Sequence, residues 1–180
     1  YILCQAEDGL LMVDQHAAHE RIVYERLRKS LGNASVQTQP FLIPKRIELS
    51  VGEAKVVQEH AASLAGLGLE IEPFGGNTFL LRAVPTVLVE TDLDAFLREV
   101  LSLLEQGGGD LRSDQALEEM LAVMACHGAI RAGKPLTERE MVALLDELRL
   151  AELPTNCPHG RPVSRKITWD ELEKMFKRAV

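Results

Sequence analysis

Apolar positions in the first 13 residues form two short runs, Ile2-Leu3 and Leu10-Leu11-Met12-Val13, on either side of Glu7-Asp8-Gly9. The pattern predicts two strands joined by a turn that Gly9 supplies. A helix follows over 16–31, where Ala17, Ile22, Tyr24, Leu27 and Leu31 recur at near-helical spacing among charged residues. Asp14 suits its N-cap and Gly32-Asn33 its end. Residues 36–49, with two prolines, read as extended, and 52–67 as a helix stopped by Gly66 and Gly68. Residues 69–89 form a predicted hairpin with Gly75-Gly76-Asn77 at its tip. A further helix over 93–105 leads into Gly107 to Gly109, the best internal boundary. Beyond it, Leu117, Met120, Leu121 and Met124 make the i, i+3, i+4, i+7 stripe of a core helix. A second helix covers 138–150, then a loop over 154–162, a strand over 163–168 and a helix over 170–178.

This order of elements fits an α+β chain folded as two lobes. The middle lobe is expected over 45–108, leaving 1–44 and 109–180 to meet each other. With 180 residues, 46% of them hydrophobic, the chain has the composition of an ordinary globule. No run approaches the roughly 18 apolar residues that a membrane span needs, and no leader precedes the first strand, so a cytoplasmic location is expected. The opening Tyr1-Ile2-Leu3, apolar and without methionine, reads as a segment of a longer protein. A formal net charge of −7 argues against tight autonomous binding to nucleic acid, which draws its affinity from lysine and arginine.

Histidine and cysteine are scarce, which makes their clustering informative. Four of the five histidines and two of the three cysteines fall in Asp14-Gln15-His16-Ala17-Ala18-His19-Glu20, Ala125-Cys126-His127 and Cys157-Pro158-His159-Gly160. His16 and Glu20, four apart on a predicted helix, share a face, with Asp14 at the strand-to-helix junction. Cys157 and His159, in a loop held by prolines and a glycine, can both turn to one ion. Thiolate, imidazole and carboxylate together suit zinc, and extra carboxylates suit a harder second ion such as magnesium or manganese. Bound metal lowers the pKa of its water from about 15.7 to roughly 7, and paired ions stabilise attacking and leaving oxygens in phosphodiester cleavage. Asp14 is the candidate metal-holding or water-orienting carboxylate, although a lone Asp there is more often a cap. Cys126 is equally a small core residue, and His19 and His127 read as bystanders.

Other chemistries are excluded by order. The segment from His16 to Glu20 matches neither H-E-x-x-H nor H-x-x-E-H, and Gly107 to Gly109 lacks the Gly-Lys-Ser/Thr of a phosphate loop, so no ATP site is expected.

The clusters lie inside longer motifs. Asp14-Gln15-His16-Ala17 followed by Glu20 and Glu25 reproduces D-Q-H-A-x2-E-x4-E, and 157–162 reads C-P-H-G-R-P. Ala125-Cys126 stands where A-C-R is found, with His127 in place of the basic residue, and Phe176-Lys177-Arg178 reads F-x-R. In this combination and order the chain resembles the C-terminal domain of nicking-competent MutL mismatch-repair proteins. The resemblance implies a homodimer with a dimerisation and metal-site lobe (1–44 and 109–180) and an external regulatory lobe (45–108). It implies nicking of duplex DNA, weakly bound by the domain alone, in strand-directed mismatch repair, with nucleoid association during repair. The implied ligands and catalytic residues are Asp14, His16, Glu20, Cys126, Cys157 and His159, with zinc in a regulatory or structural role and manganese or magnesium in cleavage. Gln39-Pro40-Phe41-Leu42-Ile43-Pro44 resembles the Q-x-x-L-x-P clamp-binding peptide of the family, which makes Gln39, Leu42 and Pro44 contacts for the replication sliding clamp. A mismatch-recognition protein is an implied partner through the full-length protein. Arg161, Arg165, Lys166, Lys174, Lys177 and Arg178 are candidate phosphate guides. The competing reading is a non-enzymatic dimerisation and adaptor module braced by zinc.

Overall fold

The structure is a computed structural model that describes residues 1–32, 36–106, 113–130 and 134–178. It is mixed α+β. The elements run β1 (Ile2–Ala6), β2 (Gly9–Val13), α1 (Gln15–Gly32), β3 (Thr38–Glu48), α2 (Val51–Gly66), β4 (Glu70–Gly75) and β5 (Thr78–Pro85). After a short 3-10 turn come α3 (Leu93–Gln106), α4 (Asp114–Gly128), α5 (Glu138–Arg149), β6 (Ser164–Thr168) and α6 (Trp169–Met175). The predicted helices and strands are present to within a few residues, and no helix among the described residues is long and apolar enough to cross a membrane. The boundary expected at Gly107 to Gly109, and Asn33 as a helix stop, lie outside the described residues.

The chain divides into two compact units, Tyr1–Glu25 with Ala129–Val180, and Arg26–Gly128. The first is built on an antiparallel sheet ordered β1-β2-β6, in which Leu3 pairs with Met12 and Met12 with Arg165, and Gln5 pairs with Leu10 and Leu10 with Ile167. Period-2 alternation sends Ile2, Cys4, Leu11 and Val13 to the inner face. There they pack with Ala17, Ala18 and Ile22 of α1, Leu144 and Leu148 of α5, and Cys157 and Val163. The second unit holds an antiparallel sheet ordered β3-β5-β4. Ala54 and Val57 of α2, Phe79 of β5 and Leu101 of α3 form a core there, and Met120, Leu121 and Met124 are buried along α4 as the stripe predicted. Between Pro40 and Lys45 the pairing of β3 with β5 slips, so residues 41–44 bulge out of the ladder.

Three helices start in the same way. Ser50, Thr137 and Thr168 cap α2, α5 and α6, each accepting from the backbone N–H three residues on, while Glu53, Glu140 and Glu171 accept from the cap N–H. Those backbone hydrogen bonds stabilise the ionised carboxylates and hold all three below their ordinary value of 4.5. A group depressed in the folded state contributes stability that is complete above its unfolded value and is lost as pH falls through the folded one. Urea unfolding should therefore show stability falling as pH drops below about 4.5, and a variant with Gln at all three positions should lose less of it.

Candidate metal centre

The first unit brings the beginning of the chain against its last third by ordinary backbone pairing. The Asp14 N–H donates to the Val163 carbonyl at 2.8 Å, continuing the β2–β6 ladder by one rung. The D-Q-H-A and C-P-H-G-R-P segments therefore leave the sheet side by side. Asp14 Oδ1 accepts from the N–H groups of His16 (2.9 Å) and Ala17 (3.1 Å), so the residue is the N-cap of α1 as its position in sequence suggested.

The C-P-H-G segment is a tight turn. Gly160 N–H donates to the Cys157 carbonyl at 2.9 Å, and Cys157 N–H to the Arg161 carbonyl at 2.8 Å. Gly160 has φ +80°, a left-handed conformation in which a side chain is strained. This turn buries the Cys157 thiol in the core and leaves the His159 imidazole at the surface.

A carboxylate of α1 meets the turn. Glu20, in the second turn of the helix, is 0% exposed, and carboxylate, Cys157 sulfur and His159 imidazole each offer a ligand atom within 4.8 Å of the others. Glu20 Oε2 lies 3.8 Å from His159 Nδ1, and Oε1 lies 3.2 Å from His16 Nε2. Neither carboxylate oxygen has a hydrogen-bond partner, and among the described residues they are the only buried side-chain N or O atoms in that position. An ionised carboxylate without water or donors is costly to bury unless a cation compensates it.

The two histidines of α1 share one backbone residue. His16 Nδ1 is 2.8 Å from the Ile130 carbonyl, and the Ile130 N–H donates to His19 Nδ1 at 3.0 Å. His16 Nδ1 therefore donates to a carbonyl, whereas His19 Nδ1 accepts from an N–H. With Nδ1 oriented by a carbonyl, His16 turns Nε2 toward Glu20, the arrangement of a ligand imidazole. The buried orphan carboxylate, the thiol and the His159 imidazole fit zinc in their donor chemistry, with His16 Nε2 beside the other carboxylate oxygen. His19, read from sequence as a bystander, is a backbone acceptor.

The remaining candidate residues have surroundings of their own. Cys126 is half-buried on α4, in the second unit. His127 beside it pairs with Glu99 at 2.7 Å, sets its ring edge-on to Phe96, and joins α4 to α3. Lys166 is paired with Asp8 across the sheet edge, whereas Arg161 is exposed in the loop that carries the thiol. In β3, Gln39 is exposed, and the bulge at 41–44 leaves Leu42 99% and Ile43 82% exposed.

Sequence reasoning passed over three side chains that hold the site in place. Arg21 Nε donates to the Asn156 carbonyl at 2.7 Å, Asn156 Nδ2 to the Gly160 carbonyl at 2.9 Å, and Gln15 Nε2 to the Lys134 carbonyl at 2.7 Å. Glu25, noted only as a motif member, accepts from the N–H groups of Glu152 (2.9 Å) and Leu153 (3.2 Å). Polar side chains that bond to backbone carry no pairing signal in the sequence, because any residue type can be the partner.

The family described as MutL C terminal dimerisation domain matches residues 1–136. The chain is 46% identical over 178 residues to the DNA mismatch repair protein MutL of Geotalea uraniireducens (strain Rf4), covering 99% of this chain and 30% of that protein. It is 43% identical to the protein of that name from Geobacter sulfurreducens (strain ATCC 51573 / DSM 12127 / PCA), covering 99% of this chain and 29% of that one. The corresponding protein of Caulobacter vibrioides (strain NA1000 / CB15N) is 42% identical over 99% of this chain and 28% of its own length. The chain thus spans under a third of the length of these curated relatives.

Proposed function

This chain belongs to the family of MutL C-terminal dimerisation domains, and we propose that it is the metal-dependent nicking module of a mismatch-repair protein. The observation that carries the proposal is the buried, unpartnered Glu20 carboxylate beside the Cys157 thiol and the His159 imidazole. Glu20, Cys157 and His159 would hold a zinc ion, with His16 Nε2 beside the other carboxylate oxygen, and Asp14 would serve the ion used in cleavage; Cys126 belongs to the ligand set that the family motifs imply. Zinc with manganese or magnesium supplies Lewis acidity and an activated water for phosphodiester hydrolysis. The chain's own residues do the rest: Glu20 supplies compensating charge, the Ile130 carbonyl orients His16, and exposed Arg161 guides a DNA phosphate into the site. Asp14, His16 and Glu20 of the one segment and Cys157 and His159 of the other all lie in the first unit, so one sheet and one helix preorganise these five residues.

The plasmid-nicking assay with manganese, the full-length protein and the sliding clamp tests this reading through Asp14→Asn. Asparagine caps a helix as well as aspartate, so stability should change by no more than about 0.5 kcal/mol. Nicking should fall to background while zinc content and oligomeric state persist. Nicking unaffected by Asp14→Asn removes the carboxylate from the chemistry, and no metal-dependent nicking at all favours the zinc-braced adaptor.

Two further surfaces belong to the same proposal. The exposed Leu42 and Ile43 in the β3 bulge, next to Gln39 and Pro44, fit a peptide that enters an apolar groove on the clamp, and the prolines lower its ordering cost. Clamp binding would then raise the effective concentration of DNA at a site that an acidic chain binds weakly. Self-association is assigned to the outer face of the first sheet, where Leu3 is 63% exposed and stands in register with Met12, with Leu10 and Ile167 alongside. Leu3→Glu should shift sedimentation equilibrium toward the monomer without altering the helix content; an unchanged dimer would relocate the interface.

A further inference from the structure

Two charged residues of α1, Arg21 and Glu25, are buried at 7% and 8% exposure, and neither points to the metal centre as a ligand. Both are spent on the backbone of the segment that delivers Cys157 and His159. Glu25 takes the N–H groups of Glu152 and Leu153, just after α5 ends, and Arg21 gives a hydrogen bond to the carbonyl of Asn156, the residue before Cys157. Asn156 then reaches forward to the Gly160 carbonyl, just past His159. The two ligands therefore sit in a stretch tied at 152, 153, 156 and 160. Three of those ties come directly from the helix that carries Glu20.

We infer that Arg21 and Glu25 are positioning residues for the Cys157–His159 limb of the metal site, which rests on the metal reading above. An irregular loop has no ladder of its own to fix it, and ordering it at the moment of binding would be charged against metal affinity. Charge-assisted hydrogen bonds to its backbone carry that ordering in advance, and they are stronger than neutral ones. The anchors lie one and five residues after Glu20 on one rigid helix, so they set thiol and imidazole relative to the carboxylate. Outer partners of this kind tune metal sites by roughly 10–100-fold in affinity.

Cobalt titration of the metal-free protein, followed by thiolate-to-cobalt absorption, tests the inference together with amide hydrogen exchange. Glu25→Ala should weaken cobalt binding by about tenfold or more while leaving the position of the absorption band unchanged, because no ligand is lost. Exchange at Glu152 and Leu153 should accelerate in the metal-free variant. Glu25→Gln, which keeps one acceptor oxygen and the packing volume, should recover much of the affinity. Wild-type affinity and exchange in folded Glu25→Ala, or in Arg21→Gln should the alanine protein not fold, would overturn the positioning role. A shifted band would also overturn it by making Glu25 a ligand. Wild-type protein that gives no thiolate band would sink the metal reading itself and this inference with it.

Discussion

Replacing Glu20 with glutamine is expected to strengthen the metal-free fold and to destroy its metal binding at once. Glu20 is fully buried, and neither of its oxygens has a hydrogen-bond donor. Glutamine keeps the shape, removes the charge and brings an NH2 group within reach of His16 Nε2, which lies 3.2 Å from the present Oε1. Relieving an uncompensated buried carboxylate is worth about 1–3 kcal/mol on the scale of buried polar groups. The same change removes the anionic ligand, so zinc affinity should drop by more than the roughly 10–100-fold that loss of an outer partner costs. Urea unfolding in chelator, paired with a zinc competition titration, reads both halves. A less stable metal-free Glu20→Gln protein would mean that the carboxylate already has a partner in the protein. Residues that stabilise a fold are seldom costly to it in isolation; a residue that is costly and buried is placed there for what it binds.

The second large effect is expected at Gly9, far from any ligand. A methyl group there would lie 2.2 Å from the Ile167 carbonyl oxygen and 2.9 Å from Thr168 Cα. These are backbone atoms of the paired strand, and no rotamer change moves them aside. Gly9→Ala should therefore cost about 3 kcal/mol or more, a large part of the 5–15 kcal/mol that holds a domain together. The loss reaches the site, because β2 runs directly into Asp14 and β6 begins directly after Val163. Prying β2 from β6 separates the carboxylate helix from the thiol turn. Thermal unfolding and zinc content should fall together in Gly9→Ala, whereas a folded protein with normal zinc would show that the sheet does not position the site.

The sequence made the elements legible wherever period and punctuation agree. Gly9, Asp14 and the glycines at the β4–β5 tip mark chain reversals and a helix start that sterics and capping dictate, and Met120, Leu121 and Met124 of the α4 stripe are buried as its spacing requires, with Leu117 half-buried. The role of Gly9 was only half visible: the turn was apparent, but the close approach of β6 depends on a strand more than 150 residues away. The division after Glu25 runs through the continuous helix α1, which leaves no glycine or proline to announce it. Clustered histidine, cysteine and carboxylate residues pointed to Glu20, Cys157 and His159 because scarce ligand types rarely coincide without a shared partner. Exposure was not legible. Arg21 and Glu25 look like a solvated helix face in one dimension, and only the fold shows that each is turned inward onto backbone.

X-ray absorption at the zinc edge of the metal-loaded protein tests the central claim most directly. The account predicts a first shell of sulfur with nitrogen and oxygen, in which the sulfur count falls by one in Cys157→Ser and is unchanged in Cys4→Ser. A shell without sulfur, or one indifferent to Cys157→Ser, would contradict it.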